Sequence, residues 1–267
     1  MSAHPAFDAD RWYEAVSARR SRRAFDGVRP AEDLLDLIEA TAAGFRPFDD
    51  ARVLLVRDVP DAFFTGVIGS YGKVTGARSA LVFIADGSSV TCAEHCGYMG
   101  EGVVLESNAL GLATCWISGS FSRSAVTAAV DLGPDEVVRA ISPLGHPLRQ
   151  PTTTERLLFG AAKAKRRRPL EEIAPGSEDW PRWAVAGVES ARIAPSAINR
   201  QPWRFELDQG AVTVSVVGRG AEGSVSRLLD VGIAMLHFEV GARLMGALGT
   251  WEVLEAPRVA LFRPSPR

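Results

Sequence analysis

A spacing repeated 135 residues apart restricts the fold more than any other feature. Gly97, Gly111 and Trp116 recur as Gly232, Gly246 and Trp251, with intervals of 14 and 5 residues in both sets. Each set runs through a stretch of helical character, from about Thr91 to Leu110 and from about Ser226 to Leu248. The first carries Gly97, Gly100, Gly102, Ser107 and Ala109, and the second has a similar content of small residues. Small side chains let another helix come close, so a buried helix–helix interface is expected. Self-similarity at a fixed offset is the signature of duplication, and a chain of 267 residues has room for two small units.

Several function classes are excluded early. The net charge of −2 gives no global field for nucleic acid or an anionic membrane. The apolar runs are too short and interrupted to span a bilayer, and residues 1–10 lack the basic start and apolar core of a signal peptide. Three cysteines, Cys92, Cys96 and Cys115, are an odd count that argues for a reducing compartment, and a cytoplasmic location is expected. Cys92, His95 and Cys96 have metal-like spacing. Zinc normally closes with four ligands, and no second Cys or His pair follows, so they read as ordinary helix residues.

Taken in order, the chain predicts a helix from Asp10 to about Arg19 with Trp12, Ala15 and Val16 on one stripe. It ends in Arg19-Arg20-Ser21-Arg22-Arg23, either a solvated basic helix end or a phosphate grip, since guanidinium forks match phosphate oxygens. Pro30 opens a helix from Ala31 to about Ala42. Strands are predicted over Ala51–Arg57 and Ser79–Asp86, a short helix over Asp61–Ile68, a turn over 69–73, a helix over Ser122–Leu132 and a strand over Glu136–Ile141. The run Lys163-Ala164-Lys165-Arg166-Arg167-Arg168 is a basic linker or further cations for the same phosphate. A helical run from Trp183 to Ile193 then meets Ala194-Pro195-Ser196-Ala197-Ile198-Asn199-Arg200-Gln201-Pro202-Trp203. Pro195 and Pro202 disfavour helix at the residues before them. Ser196 and Asn199 are therefore expected on a stiff corner, with polar ends free or bonded to their own backbone. A hairpin turning at Asp208-Gln209-Gly210, with Ala211–Val217 as its return strand, and a last strand over Ala256–Phe262 complete the chain.

Four strings resemble motifs of the FMN-dependent nitroreductase family. Arg19-Arg20-Ser21-Arg22-Arg23-Ala24-Phe25 is similar to its Arg-x-Ser-x-Arg/Lys-x-Phe motif. Gly111-Leu112-Ala113-Thr114-Cys115-Trp116-Ile117-Ser118-Gly119 resembles Gly-Leu-Gly-x-x-Trp-Ile-Gly-Gly. Lys165 to Pro169 resembles Lys-x-Arg-x-Pro, and the segment Pro195 to Trp203 resembles Pro-Ser-x-x-Asn-x-Gln-Pro-Trp. The resemblance implies an α+β, three-layer α/β fold of nitroreductase type. It implies that Arg19, Arg20, Ser21, Arg23, Lys165 and Arg167 hold the phosphate and ribityl chain of FMN. Ile117, Ser118 and Gly119, together with Lys73, would lie near the flavin ring, and Pro195, Ser196, Ala197 and Asn199 would rim it.

The chain departs from the family pattern in one respect. Where a corner is expected first it reads Ala43-Gly44-Phe45-Arg46-Pro47-Phe48-Asp49-Asp50, without serine or asparagine, while the later half keeps the corner but lacks Arg-x-Ser-x-Arg. Ordinary members are homodimers with two flavins at the interface. The expectation is therefore a tandem branch in which residues 1–168 and 169–267 are two related halves. They would form an intrachain pseudo-dimer with long central helices and one composite flavin site. Its implied activity is NAD(P)H-driven two-electron reduction of a small electron-poor acceptor such as a nitroaromatic or quinone, the flavin carrying the chemistry. NADH or NADPH would be the donor, and the assembly a monomeric pseudo-dimer or a weak homodimer. No side-chain triad or carboxylate pair stands out, so no catalytic residue and no metal ligand is assigned. A flavin carrier without turnover is the alternative. Nucleic-acid binding is disfavoured, because no aromatic residues interleave with the arginines.

Overall fold

A computed structural model describes residues 7–64, 74–119, 121–150, 166–218 and 226–266. Helices α1 (Ala9–Ala18) and α2 (Glu32–Gly44) lead into strands β1 (Ala51–Val56) and β2 (Ser79–Asp86). The long helix α3 (Cys92–Ala109) follows, then β3 (Ala113–Thr114), α4 (Arg123–Thr127) and β4 (Glu136–Gly145). The later part runs α5 (Leu170–Ile173), α6 (Arg182–Arg192), β5 (Trp203–Asp208), β6 (Ala211–Val216), α7 (Arg227–Leu244), β7 (Gly249–Val253) and β8 (Arg258–Pro264).

The described strands form two four-stranded sheets, ordered β1-β2-β4-β3 and β5-β6-β8-β7. The order is the same in both, every neighbouring pair is antiparallel, and a long helix separates the second strand from the third in each. Each central pair carries a register shift, at Phe83/Ile84 and at Val214/Ser215. The hairpin between β5 and β6 closes on Gln209 and Gly210, both with positive φ, as a two-residue turn matched to strand twist requires.

Helices α3 and α7 cross at the centre and are buried nearly all round, as expected of helices without a polar stripe. The crossing is made by the two glycines that mark the repeat. Gly97 lies against the carbonyl of Leu229, and Gly232 against the carbonyl of Glu94. The offset of 135 relates the glycines to each other and Glu94 to Leu229, so the contact is reciprocal. No side chain could be accommodated at either glycine without parting the backbones.

Several boundaries differ from the sequence expectation. Asp8 caps α1, its carboxylate accepting from the Arg11 N–H at 3.0 Å, which leaves Asp10 inside the first turn. α4 is shorter than residues 122–132, since the Thr127 hydroxyl bonds back to the carbonyls of Arg123 and Ser124 as the helix ends. β4 continues past Ile141 to Gly145, pairing Pro143 with Ala80. β7 was not anticipated, and the last strand starts at Arg258 rather than Ala256. Of the helix expected over Asp61–Ile68, a 3-10 turn covers Asp61–Phe64. The remainder, the turn at 69–73 with Lys73, and Lys163 to Lys165 lie outside the described residues.

Candidate functional site

The N-terminal basic motif leaves α1 as an extended segment. Ser21 bridges Thr114 of β3 in parallel, and the Arg22 N–H donates to the Thr114 carbonyl at 2.9 Å. Two of the sequence motifs are thereby joined. Arg19 is buried, with its Nε 3.8 Å from Glu101 Oε1 and one terminal nitrogen 3.4 Å from Ser21 Oγ. That Nε has no hydrogen-bond partner among the described residues. Burial holds the Arg19 guanidinium below its ordinary range, with Glu101 and Cys115 opposing and Arg20 adding to the effect.

Glu101 sits in the interior of α3, fully buried. It accepts from Trp116 Nε1 at 2.6 Å and lies 2.8 Å from His237 Nε2 of α7. On α7, Glu239 takes the matching part, accepting from Tyr98 of α3 at 2.6 Å and from Trp251 Nε1 at 3.0 Å. Each long helix thus buries one carboxylate that binds a tryptophan and a side chain of the other helix. Such pairs are costly to break, because an unpartnered charge would remain inside.

The corner at 194–202 is not free, contrary to the first of the two sequence expectations. Ser196 Oγ accepts from the Gln201 N–H at 2.9 Å, the own-backbone alternative. Asn199 turns instead to the basic segment, its Oδ1 accepting from Arg167 at 2.7 Å and its Nδ2 donating to the Arg166 carbonyl at 2.9 Å. Gln201 accepts from the Arg168 N–H at 2.9 Å. Arg167 also donates to the Ile193 carbonyl at 3.0 Å. Buried Asp230, at the start of α7, fixes the corner from below. It accepts from the Ala197 N–H at 3.1 Å and from Arg200 Nε at 2.6 Å, and burial pushes its carboxyl up to about 6 despite both donors. Ile198, Asn199 and Gln201 all have positive φ. Three such residues in a row of four, one of them β-branched, concentrate strain where a binding loop is expected to hold it.

The charges of the N-terminal motif are felt at Arg167, which is bonded to the corner. Burial, followed by the charges of Arg19, Arg20 and Arg192, pushes its guanidinium down to about 10. Arg19 contacts Ser21, Arg167 contacts Asn199, and the charges of Arg19, Arg20 and Arg192 all act on Arg167. Cations that act on one another, of which only Arg19 faces a carboxylate among the described residues, favour an incoming anion. Of the other predicted residues, Ile117 has both backbone groups paired with Ile141 and its side chain in the core, which leaves Ser118 and Gly119 as the accessible part of that segment. Pro195 is buried, and the Ala197 N–H is taken by Asp230. Arg23 pairs through its carbonyl with Thr75. Sequence reading missed Glu101, Asp230, Gln201 and Arg192. An acid inside an otherwise small and apolar helix was the available signal for the first two.

The segment at 43–50, which lacks the serine and asparagine, is packed differently. Phe45 packs on Trp12 and Tyr98, and Phe48 stacks on His95 at 3.7 Å. His95, which is 135 residues before Asp230, pairs with Asp50 at 2.7 Å. Aromatic contacts dominate this segment, in contrast to the polar and cationic contacts of the corner at 194–202. Among the described residues no cluster of three or more His, Cys, Asp or Glu is placed to hold a metal, and no helix is long and apolar enough to cross a membrane.

A protein-family model described as "Putative TM nitroreductase" matches residues 11–242. Among solved structures, a "putative nitroreductase" from Thermotoga maritima is 24% identical, covers 98% of this chain and 97% of its own, and superimposes with a TM-score of 0.60. That likeness is one of fold. An "FMN-dependent Nitroreductase" from Clostridium difficile is 18% identical over 55% of this chain and 94% of its own, with a TM-score of 0.43. A "Nitroreductase with Bound FMN" from Bacteroides fragilis is 19% identical over 53% of this chain and 94% of its own, with a TM-score of 0.41. No curated protein matches the chain.

Proposed function

Since the chain belongs to the "Putative TM nitroreductase" family and is an oxidoreductase, we propose that it is an FMN-dependent NAD(P)H:acceptor oxidoreductase with one flavin site per chain. The single observation that carries this is the cluster joining Ser21 and Arg19 of the first half to Arg167 and Asn199 through direct contacts and mutual charge. The residues fit the phosphate of FMN. Arg19 presents a buried nitrogen without a hydrogen-bond partner, and the guanidinium groups repel one another until an anion lies between them. When bound, the flavin supplies the hydride and electron transfer. The chain's part is to grip the phosphate with Arg19, Ser21 and Arg167. The strained corner is held rigid through Asp230, and the segment at Ser118 and Gly119 is offered to the ring. Lys165, Arg20 and Arg23 belong to the same cationic surround in this reading, and Lys73 to the ring end.

The chain imitates a dimer, with halves at 1–168 and 169–267. The matched strand orders and the reciprocal glycine contact support this reading. Only one of the two related positions binds flavin, and the aromatic filling around Phe45 and Phe48 supports that count. A small electron-poor acceptor, nitroaromatic or quinone, takes the electrons.

The test is flavin content and reducibility. Purified protein should bind one FMN per chain, and NADH or NADPH should bleach its absorbance without oxygen. Arg19→Lys, which keeps a charge beside buried Glu101 but loses the fork, should lower FMN affinity with the fold retained. Two FMN per chain, or unchanged affinity in the Arg19 variant, would refute the composite site.

A further inference from the structure

The four guanidinium groups of the cationic cluster come from three separate places. Arg19 and Arg20 follow α1, Arg167 lies in the segment before α5, and Arg192 is the last residue of α6. Arg192 matches none of the basic motifs that mark a phosphate grip in the sequence.

Three observations bear on it. First, its Nε is buried without a hydrogen-bond partner, and among the described residues Arg192 forms no ion pair. A guanidinium ordinarily finds an acceptor when its inner nitrogen is sequestered. Second, Arg167 is clamped beside it. One terminal nitrogen of Arg167 donates to the carbonyl of Ile193, the next residue, and the other to Asn199. Arg167 is thus anchored to the residue that follows Arg192, and the charge of Arg192 is among those felt at Arg167. Third, the helix end alone does not call for a cation. A basic residue in the last turn can serve the helix dipole, yet α2, which also leads into the first strand of its sheet, has none and ends in Gly44. The arginine occurs on the side of the molecule that carries the cluster and not at the aromatic-filled side.

We propose that Arg192 is a direct ligand of the anion, so that the second half contributes a phosphate contact as well as the corner. Taking the anion to be the flavin phosphate, as proposed above, Arg192 and Arg167 grip it from the α6 side while Arg19 and Ser21 grip it from the α1 side. The phosphate would be held between the two halves, and its binding would depend on their docking.

FMN and riboflavin differ only in the phosphate, which makes them the discriminating probes. Flavin-free full-length protein, with Arg192→Gln and Arg192→Lys variants, is titrated with each by quenching of flavin fluorescence. Arg192→Gln should raise the Kd for FMN about tenfold, the low end of a charge-assisted hydrogen bond, and leave that for riboflavin within about twofold. Arg192→Lys keeps the charge but loses the fork, and should fall between. It also serves if the glutamine variant does not fold, since a loss confined to FMN is expected there too. An FMN Kd within about twofold of wild type in both variants, or equal losses for the two flavins, would overturn the role of Arg192 and leave the flavin reading standing. Wild-type protein that takes neither flavin would overturn that reading and this role together.

Discussion

Substituting Gly97 by alanine tests the central crossing most directly. The added methyl would fall on the carbonyl of Leu229, with the carbonyl carbon at 3.0 Å and the Ile233 nitrogen at 3.1 Å. At Gly232 the same change would meet Glu94, with C at 2.7 Å and Cα at 2.8 Å. Ordinary contact is 3.4–4 Å, and backbone atoms cannot rotate aside. The helices would therefore have to part by roughly 1 Å, enough to forfeit about a quarter to a half of the dispersion at the closest contacts. Overpacking of this kind costs roughly 1–3 kcal/mol, and its upper end applies where backbone meets backbone. Against it stands about 1 kcal/mol gained from replacing glycine in a helix. The net expectation is a loss of about 2 kcal/mol, or a fall in Tm of roughly 4–8 °C for a chain of this size. The assay is thermal unfolding at fixed flavin concentration, since bound ligand shifts Tm by mass action. Gly232→Ala should cost at least as much. The double variant should cost about 1 kcal/mol less than the sum, because one opening of the crossing relieves both methyls. An unchanged or raised Tm for Gly97→Ala would refute the crossing, since helix propensity alone predicts a rise.

Two further predictions concern single side chains. Glu94 is buried with one carboxylate oxygen unpartnered, and burial first, then Asp50, pushes its carboxyl up to about 7. A raised folded-state pKa means that the folded protein holds the proton longer than the unfolded chain. The stability from this group is complete below its ordinary value and is lost as pH rises to about 7. Wild type should therefore lose up to roughly 3 kcal/mol relative to Glu94→Gln between about pH 4.5 and 7, read as the difference between denaturant midpoints; a constant difference would refute it. Asn199→Ala removes the acceptor for Arg167 and places alanine at φ +58°, for a loss of about 2 kcal/mol. Asn199→Gly should recover about 1 kcal/mol of it by relieving the backbone, and equal midpoints for the two would exclude backbone strain as a contributor.

Much of this was legible in residue spacing. The 135-residue offset singles out the two crossing glycines, because only glycine permits so close an approach. Pro195 and Pro202 marked the corner, since proline restricts the backbone whatever surrounds it. The partners of Ser196 and Asn199 were not legible. Asn199 reaches 32 residues back to Arg167, and local pattern carries no information on such pairs. The same holds for the bonds of Glu101 to His237 and of Glu239 to Tyr98, which run to the opposite helix. β7 was missed because only one of its five residues is buried, so that it carries almost no apolar alternation.

The crossed bonds between the long helices have an evolutionary consequence. Tyr98 answers to Glu239, and His237 to Glu101. Loss of either glutamate strands the Tyr98 hydroxyl or the His237 Nε2 inside the molecule until that partner changes too. Positions 98 and 239, and positions 101 and 237, should therefore drift as couples across related sequences, while the surfaces around them vary singly. A gene carrying this chain could not exchange its front or rear portion with that of a distant relative unless both couples travelled with it.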